Sequence, residues 1–206
     1  MTPPPPVAGA RADILSGTQG HGGVLQQHSP ILAAADTPLF LIGMMGAGKT
    51  TVGRLLASAL GYTFVDADAE LESRAGVRIA TIFELEGEEG FRDREEHLLQ
   101  ELTARRGIVL ATGGGAVLRP ANRACLRDRG VVVFLDASPE EILRRTRQDT
   151  HRPLLASADG DRRARIESLL EARMPLYRET AHRTFPSAPG NPKRLVETIL
   201  AELRKG

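Results

Sequence analysis

The chain has 206 residues, 41% hydrophobic, 26% charged and 4% aromatic, with no Trp; at ~150 residues per domain this predicts one domain with an appendage, able to bury a core. A formal net charge of +1 argues against a nucleic-acid or membrane-surface binder, and the few aromatics argue against a stacking platform for single strands. One cysteine, Cys125, excludes an intrachain disulfide or Cys-based zinc site, and no run reaches the ~18 apolar residues of a bilayer span.

Residues 1–37 read as a disordered tail, with a proline run at Pro3–Pro6, several glycines and no sustained period. The tail lacks the basic start and apolar stretch of a secretory signal, so the expectation is a cytoplasmic protein that needs no partner chain. From residue 38 to 206 strands alternate with helices. Leu39–Ile42 is a short apolar run ending at Gly43, and Val52, Leu55, Leu56, Ala59 and Leu60 share one helical face that ends at Gly61. Thr63–Val65 is a second strand, ending in Asp66, and an acid-rich helical region covers about residues 69–105. Ile108–Ala111 leads into Gly113-Gly114-Gly115. Val131–Leu135 reads as a strand buried on both faces. Ser138-Pro139-Glu140-Glu141 opens a helix, with Ser138 as N-cap and Glu141 completing a capping box. Arg183–Phe185 is a final strand, and Asn191-Pro192 caps a helix with the face Leu195, Val196, Ile199, Leu200 and Leu203. This order predicts an α/β fold in three α/β/α layers around a parallel sheet, with ligands beyond the carboxyl ends of the strands.

The net charge hides segregation. Residues 64–101 hold twelve acids and four Arg, whereas residues 144–183 hold ten Arg and six acids. Lys49 is the only Lys in the first 192 residues. It lies in Gly43-Met44-Met45-Gly46-Ala47-Gly48-Lys49-Thr50, which matches G-x-x-x-x-G-K-[ST] between a strand and a helix. Backbone N–H groups of such a loop cradle phosphates, Lys49 adds a point charge, and the Thr50 hydroxyl can ligate Mg²⁺. The motif indicates a nucleoside triphosphate site without distinguishing a kinase from a GTPase or an ATPase.

Asp66 and Asp68 follow the second strand. Alternation along an extended chain puts both carboxylates on one face, suited to Mg²⁺ and an acceptor hydroxyl; either residue alone also suits a helix N-cap. Arg92 has the bidentate geometry for a substrate carboxylate, or belongs to a salt-bridged helix surface. Gly113–Gly115 offers close backbone approach to a ligand, or a tight turn. Asp136 imitates a second phosphate-site aspartate, but Ser138 already caps the next helix and Asp66 is better placed. Residues 148–160 read as a mobile lid carrying Arg152 towards the phosphates. Arg173, at a helix end before Met174-Pro175-Leu176-Tyr177, is a second carboxylate clamp. Each arginine taken singly also fits a solvated surface.

In order, GMMGAGKTTVGRLLA, DADAELE, FRDREE, TGGGAV, THRPLL and RMPLYR resemble the shikimate kinase family, from about Leu39 to Leu203. The resemblance implies a P-loop kinase fold related to nucleoside monophosphate kinases, with transfer of the ATP γ-phosphoryl group to the 3-hydroxyl of shikimate. Gly46, Ala47, Gly48, Lys49, Thr50 and Thr51 would then cradle ATP. Lys49, Asp68 and Arg152 would be catalytic, with Asp68 on the acceptor hydroxyls. Arg92, Arg173 and Gly113–Gly115 would hold the shikimate carboxylate, and Thr50 and Asp66 would hold Mg²⁺. Arg145 would lie against adenine with Asn191-Pro192 opposite; at Gly190, relatives often have Arg. The competing readings are a P-loop kinase for another carboxylated polyol such as gluconate, a non-catalytic nucleotide-binding regulator, and a nucleic-acid role for the Arg-rich half.

Overall fold

A computed structural model describes residues 1–2, 36–147 and 161–205. Most of the predicted tail, and the whole predicted lid at 148–160 with Arg152, lie outside the described residues. Five strands, β1 (Leu39–Ile42), β2 (Thr63–Asp66), β3 (Ile108–Ala111), β4 (Val131–Asp136) and β5 (Arg183–Pro186), pair in parallel in the order β2-β3-β1-β4-β5.

The strand sequences explain the layers. Every residue of β1 and β3 is buried, because helices cover both faces of the sheet. Successive side chains alternate between those faces. Leu39, Leu41, Val133 and Leu135 pack with Val52 and Leu56 of α1 (Lys49–Leu60) and with Val196, Ile199 and Leu203 of α7 (Pro192–Lys205). Phe40, Ile42, Val132 and Phe134 pack with Leu71 of α2 (Ala67–Ala75), with Leu98, Leu99 and Leu102 of α3 (Ile79–Leu102), and with Leu126 of α4 (Pro120–Arg129). Truncating a large aromatic at the centre of either layer, such as fully buried Phe40, costs ~3–5 kcal/mol in lost contact and cavity.

Several elements differ from the sequence reading. In α1 Ala59 is exposed, and the helix buries Gly53 and Ala57 beside Val52 and Leu56. The acid-rich helical region resolves into two helices, α2 and α3. Gly76, with φ 69°, ends α2, and α3 bends at Gly87, where φ 72° and ψ −175° interrupt the helical path. Two further helices are α5 (Pro139–Thr146) and α6 (Arg162–Thr180). At α5, Ser138 Oγ accepts the Glu141 N–H, while the Glu141 carboxylate turns to Arg144 and Arg145. Arg173 is inside α6, not at a helix end, because the helix continues through Pro175. Leu170, Arg173 and Tyr177, spaced for one buried face, hold both halves against the body of the protein.

Candidate active site

β1 lies between β3 and β4, and the chains leaving β1 and β3 run to opposite faces of the sheet, into α1 on one and α4 on the other, which opens a crevice beyond the strand ends. The loop from Gly43 to Gly48 occupies that crevice, and Gly46 and Gly48 take positive φ of 76° and 92°. These turns lead into the N-terminus of α1, where backbone N–H groups and the helix dipole favour an anion. Lys49 is 8% exposed, and its Nζ donates to the carbonyls of Gly43 at 2.7 Å and Met44 at 3.0 Å. The ammonium is thus held over the loop that the phosphate motif predicts.

Thr50 Oγ1 donates to Asp66 Oδ2 at 2.8 Å, so a hydroxyl and a carboxylate meet beside the loop. Both are hard oxygen donors. They suit Mg²⁺, which takes few protein ligands and completes its octahedron with phosphates and water. Among the described residues no group of three or more His, Cys, Asp or Glu is arranged to cage a metal. The expectation that Asp66 and Asp68 share one face of a strand is corrected. Asp66 ends β2 and caps α2, its Oδ1 accepting the N–H of Asp68 at 3.2 Å and of Ala69 at 3.4 Å, so Asp68 stands in the first helical turn. Asp66 therefore serves as cap and Thr50 partner at once.

The triple glycine is packed too tightly to be only a turn. A Cβ on Gly113 would lie 2.5 Å from Glu95 Oε1 and 2.8 Å from Asp68 Oδ1. A Cβ on Gly115 would overlap the Arg92 guanidinium, and one on Gly114 would lie 3.2 Å from the Met45 N. Arg173 Nη1 donates to the Gly114 carbonyl at 3.3 Å, and the Tyr177 hydroxyl donates to the same oxygen. Tyr177 stacks on Phe134, and burial pushes its phenol up to about 12. Asp68, Arg92 and Arg173 thus converge on the three glycines.

Arg92 is not on a salt-bridged surface. It is 3% exposed, and its Nη1 donates to buried Glu95 Oε2 at 2.7 Å, while Nη2 reaches the half-exposed Glu88 at 3.1 Å. Glu95 is a further buried residue of this cluster that its sequence context did not single out. Its spacing of three from Arg92 on a helix was the available signal. Glu95 Oε1 is buried without a hydrogen-bond partner. Burial pushes this carboxyl above the ordinary range; Arg92 opposes that shift and the Asp68 charge adds to it.

On the other side of the loop is a cleft of about 470 Å³, lined by Gly48, Thr51, Arg145, Ser187, Pro189 and Asn191 among others. Gly190 also lines it, and a Cβ there would meet nothing within 4 Å. Asp136, at the end of β4, uses its carbonyl to accept the Ser187 N–H.

A parallel sheet with a phosphate loop at the strand crossover, and Asp68, Arg92 and Arg173 gathered at three glycines beside it, fit a kinase of the P-loop class. The sequence model of the family described as "Shikimate kinase" matches residues 45–204. The shikimate kinase of Bordetella avium is 54% identical over 169 residues, covering 82% of this chain and 80% of that one. The solved structure of shikimate kinase from Acinetobacter baumannii in complex with shikimate superposes with a TM-score of 0.77 at 48% identity, covering 80% of this chain and 90% of that one. A gluconokinase from Sinorhizobium meliloti shares the fold alone, at 18% identity and a TM-score of 0.52. The chain belongs to the shikimate kinase family.

Proposed function

We propose that this chain transfers the γ-phosphoryl group of ATP to the 3-hydroxyl of shikimate, giving shikimate 3-phosphate for aromatic biosynthesis. The observation that carries this reading is a cluster of side chains: two buried arginines and Asp68 around three glycines, next to a phosphate loop. A small acceptor bearing one carboxylate and several hydroxyls complements that set. Arg92 and Arg173 supply bidentate donors for the carboxylate, and Gly113–Gly115 let it approach the backbone. Asp68 orients the acceptor hydroxyl and takes its proton.

On the donor side, Gly46, Ala47, Gly48, Thr50 and Thr51 surround the phosphates with N–H groups, and Lys49 and Arg152 balance the charge that spreads over the transferring group. Arg145 faces the base. Thr50 and Asp66 are the residues that would hold Mg²⁺, Asp66 through water. When bound, the ion neutralises the β- and γ-phosphate oxygens. The decisive experiment is an ADP-coupled assay with and without shikimate, and gluconate as a comparison acceptor. Rapid ADP release only with shikimate is expected. Release no faster than without acceptor would overturn the assignment.

A further inference from the structure

We infer that Glu141 is a positioning residue for the nucleotide and acts through Arg145. The inference rests on the reading that a nucleotide lies along the phosphate loop and the adjoining cleft.

Glu141 stands in the first turn of α5 with its side chain only 5% exposed. Its Oε1 pairs with Arg145 Nε, and Arg144 takes Oε1 at 2.6 Å and Oε2 at 2.9 Å. The two arginines hold the Glu141 carboxyl below the ordinary carboxylate range against the opposing effect of burial. The far edge of Arg145 is engaged as well. Nη1 donates to the Gly46 carbonyl at 3.1 Å and to Ser187 Oγ at 2.9 Å, and Nη2 donates to the Ala188 carbonyl at 3.3 Å. Ser187 Oγ in turn donates to the Ala47 carbonyl at 2.7 Å. One guanidinium therefore joins α5, the phosphate loop and the segment after β5.

A guanidinium is planar, and its donors radiate in that plane. Bonds at both edges consequently fix the orientation of its flat face, the face on which a planar base packs. Of the groups bonded to Arg145 in these contacts, only Glu141 carries a charge. The others are two carbonyls and a hydroxyl, which alone give weaker bonds. Glu141 is thus the anchor that keeps Arg145 set in the wall of the cleft.

The test is calorimetric titration of ADP against the full chain and against Glu141→Gln, Arg145→Met and the double variant. Loss of one charge-assisted bond predicts ADP binding weakened about fivefold to tenfold in Glu141→Gln. The double variant should bind no worse than Arg145→Met, because the anchor has nothing left to hold. The KM for shikimate at saturating ATP should stay unchanged. Unaltered ADP affinity in Glu141→Gln, or losses that multiply in the double variant, would overturn the inference. If Glu141→Gln does not fold, Glu141→Asp, which keeps the charge and shortens the reach, enters the same comparison. ADP titration involves no acceptor, so failure of the shikimate assignment is read separately, in the coupled assay.

Discussion

Arg92 and Glu95 form a 2.7 Å ion pair in which the two side chains are 4% and 3% exposed, packed against Gly113 and Gly115. Removing Glu95 leaves the buried Arg92 guanidinium with only the half-exposed Glu88 as counter-charge. Glu95→Ala should lower stability by ~3–5 kcal/mol, read by urea unfolding. Glu95→Gln keeps the shape but loosens Arg92, and its main kinetic effect should be a raised KM for shikimate. A stability loss below ~1 kcal/mol in Glu95→Ala would contradict the tight pairing.

The arginines should divide by kinetic parameter. The proposed function puts Arg152 at the transferring phosphoryl group, where charge develops, so Arg152→Ala should lower kcat by ~10²-fold or more with a smaller change in KM. In the proposed function Arg92 and Arg173 hold substrate and transition state alike, so Arg92→Ala and Arg173→Ala should mainly raise KM for shikimate. Equal effects on both parameters in all three variants would contradict this division.

Asp66 offers a way to separate folding from ion binding. Asn caps a helix about as well as Asp. Asp66→Asn should therefore keep stability within ~0.5 kcal/mol, yet require more Mg²⁺ for half-maximal activity. Asp66→Ala should lose both. A magnesium dependence unchanged in Asp66→Asn would remove Asp66 from the ion's surroundings.

His182 couples pH to the sheet. Its Nδ1 accepts the Val132 N–H at 2.9 Å, which requires the unprotonated nitrogen. Burial, with the nearby charges of Arg127 and Arg183, lowers its pKa below the ordinary 6.5. The unfolded chain therefore takes up the proton first as pH falls. The stabilisation is complete above the unfolded pKa and is lost as pH falls through the folded one. Chemical denaturation should show this decline below about pH 6.5. His182→Asn should abolish that component, and an unchanged profile would exclude it.

Much of the fold was legible because it follows from local chemistry. The apolar run Val131–Leu135 had no polar face to offer water and became a strand covered on both sides. Gly43–Thr50 named its own function through spacing. What sequence did not disclose is tertiary. For Asp66 and Asp68 the sequence left two readings, both carboxylates on one face or a helix N-cap, and the Asp66 side chain took the cap by accepting two N–H groups. A proline after Arg173 suggested a helix end, yet burial on both sides of Pro175 carried the helix onward. Glu95 looked like one acid among many, and only packing made it a buried partner.

Strands β1 and β3 are hydrogen-bonded neighbours, with Leu41 opposite Ala111. Just beyond, both the N–H and the hydroxyl of Thr112 donate to the Leu41 carbonyl at 3.1 Å. The phosphate loop leaves the end of β1 and the triple glycine leaves the end of β3. The sheet thus acts as a ruler: its interstrand spacing of ~4.8 Å sets the offset between the roots of the donor and acceptor loops. Changing that offset would require breaking the central sheet, so the reach between the roots of the two loops is set by backbone pairing and not by how the helices pack.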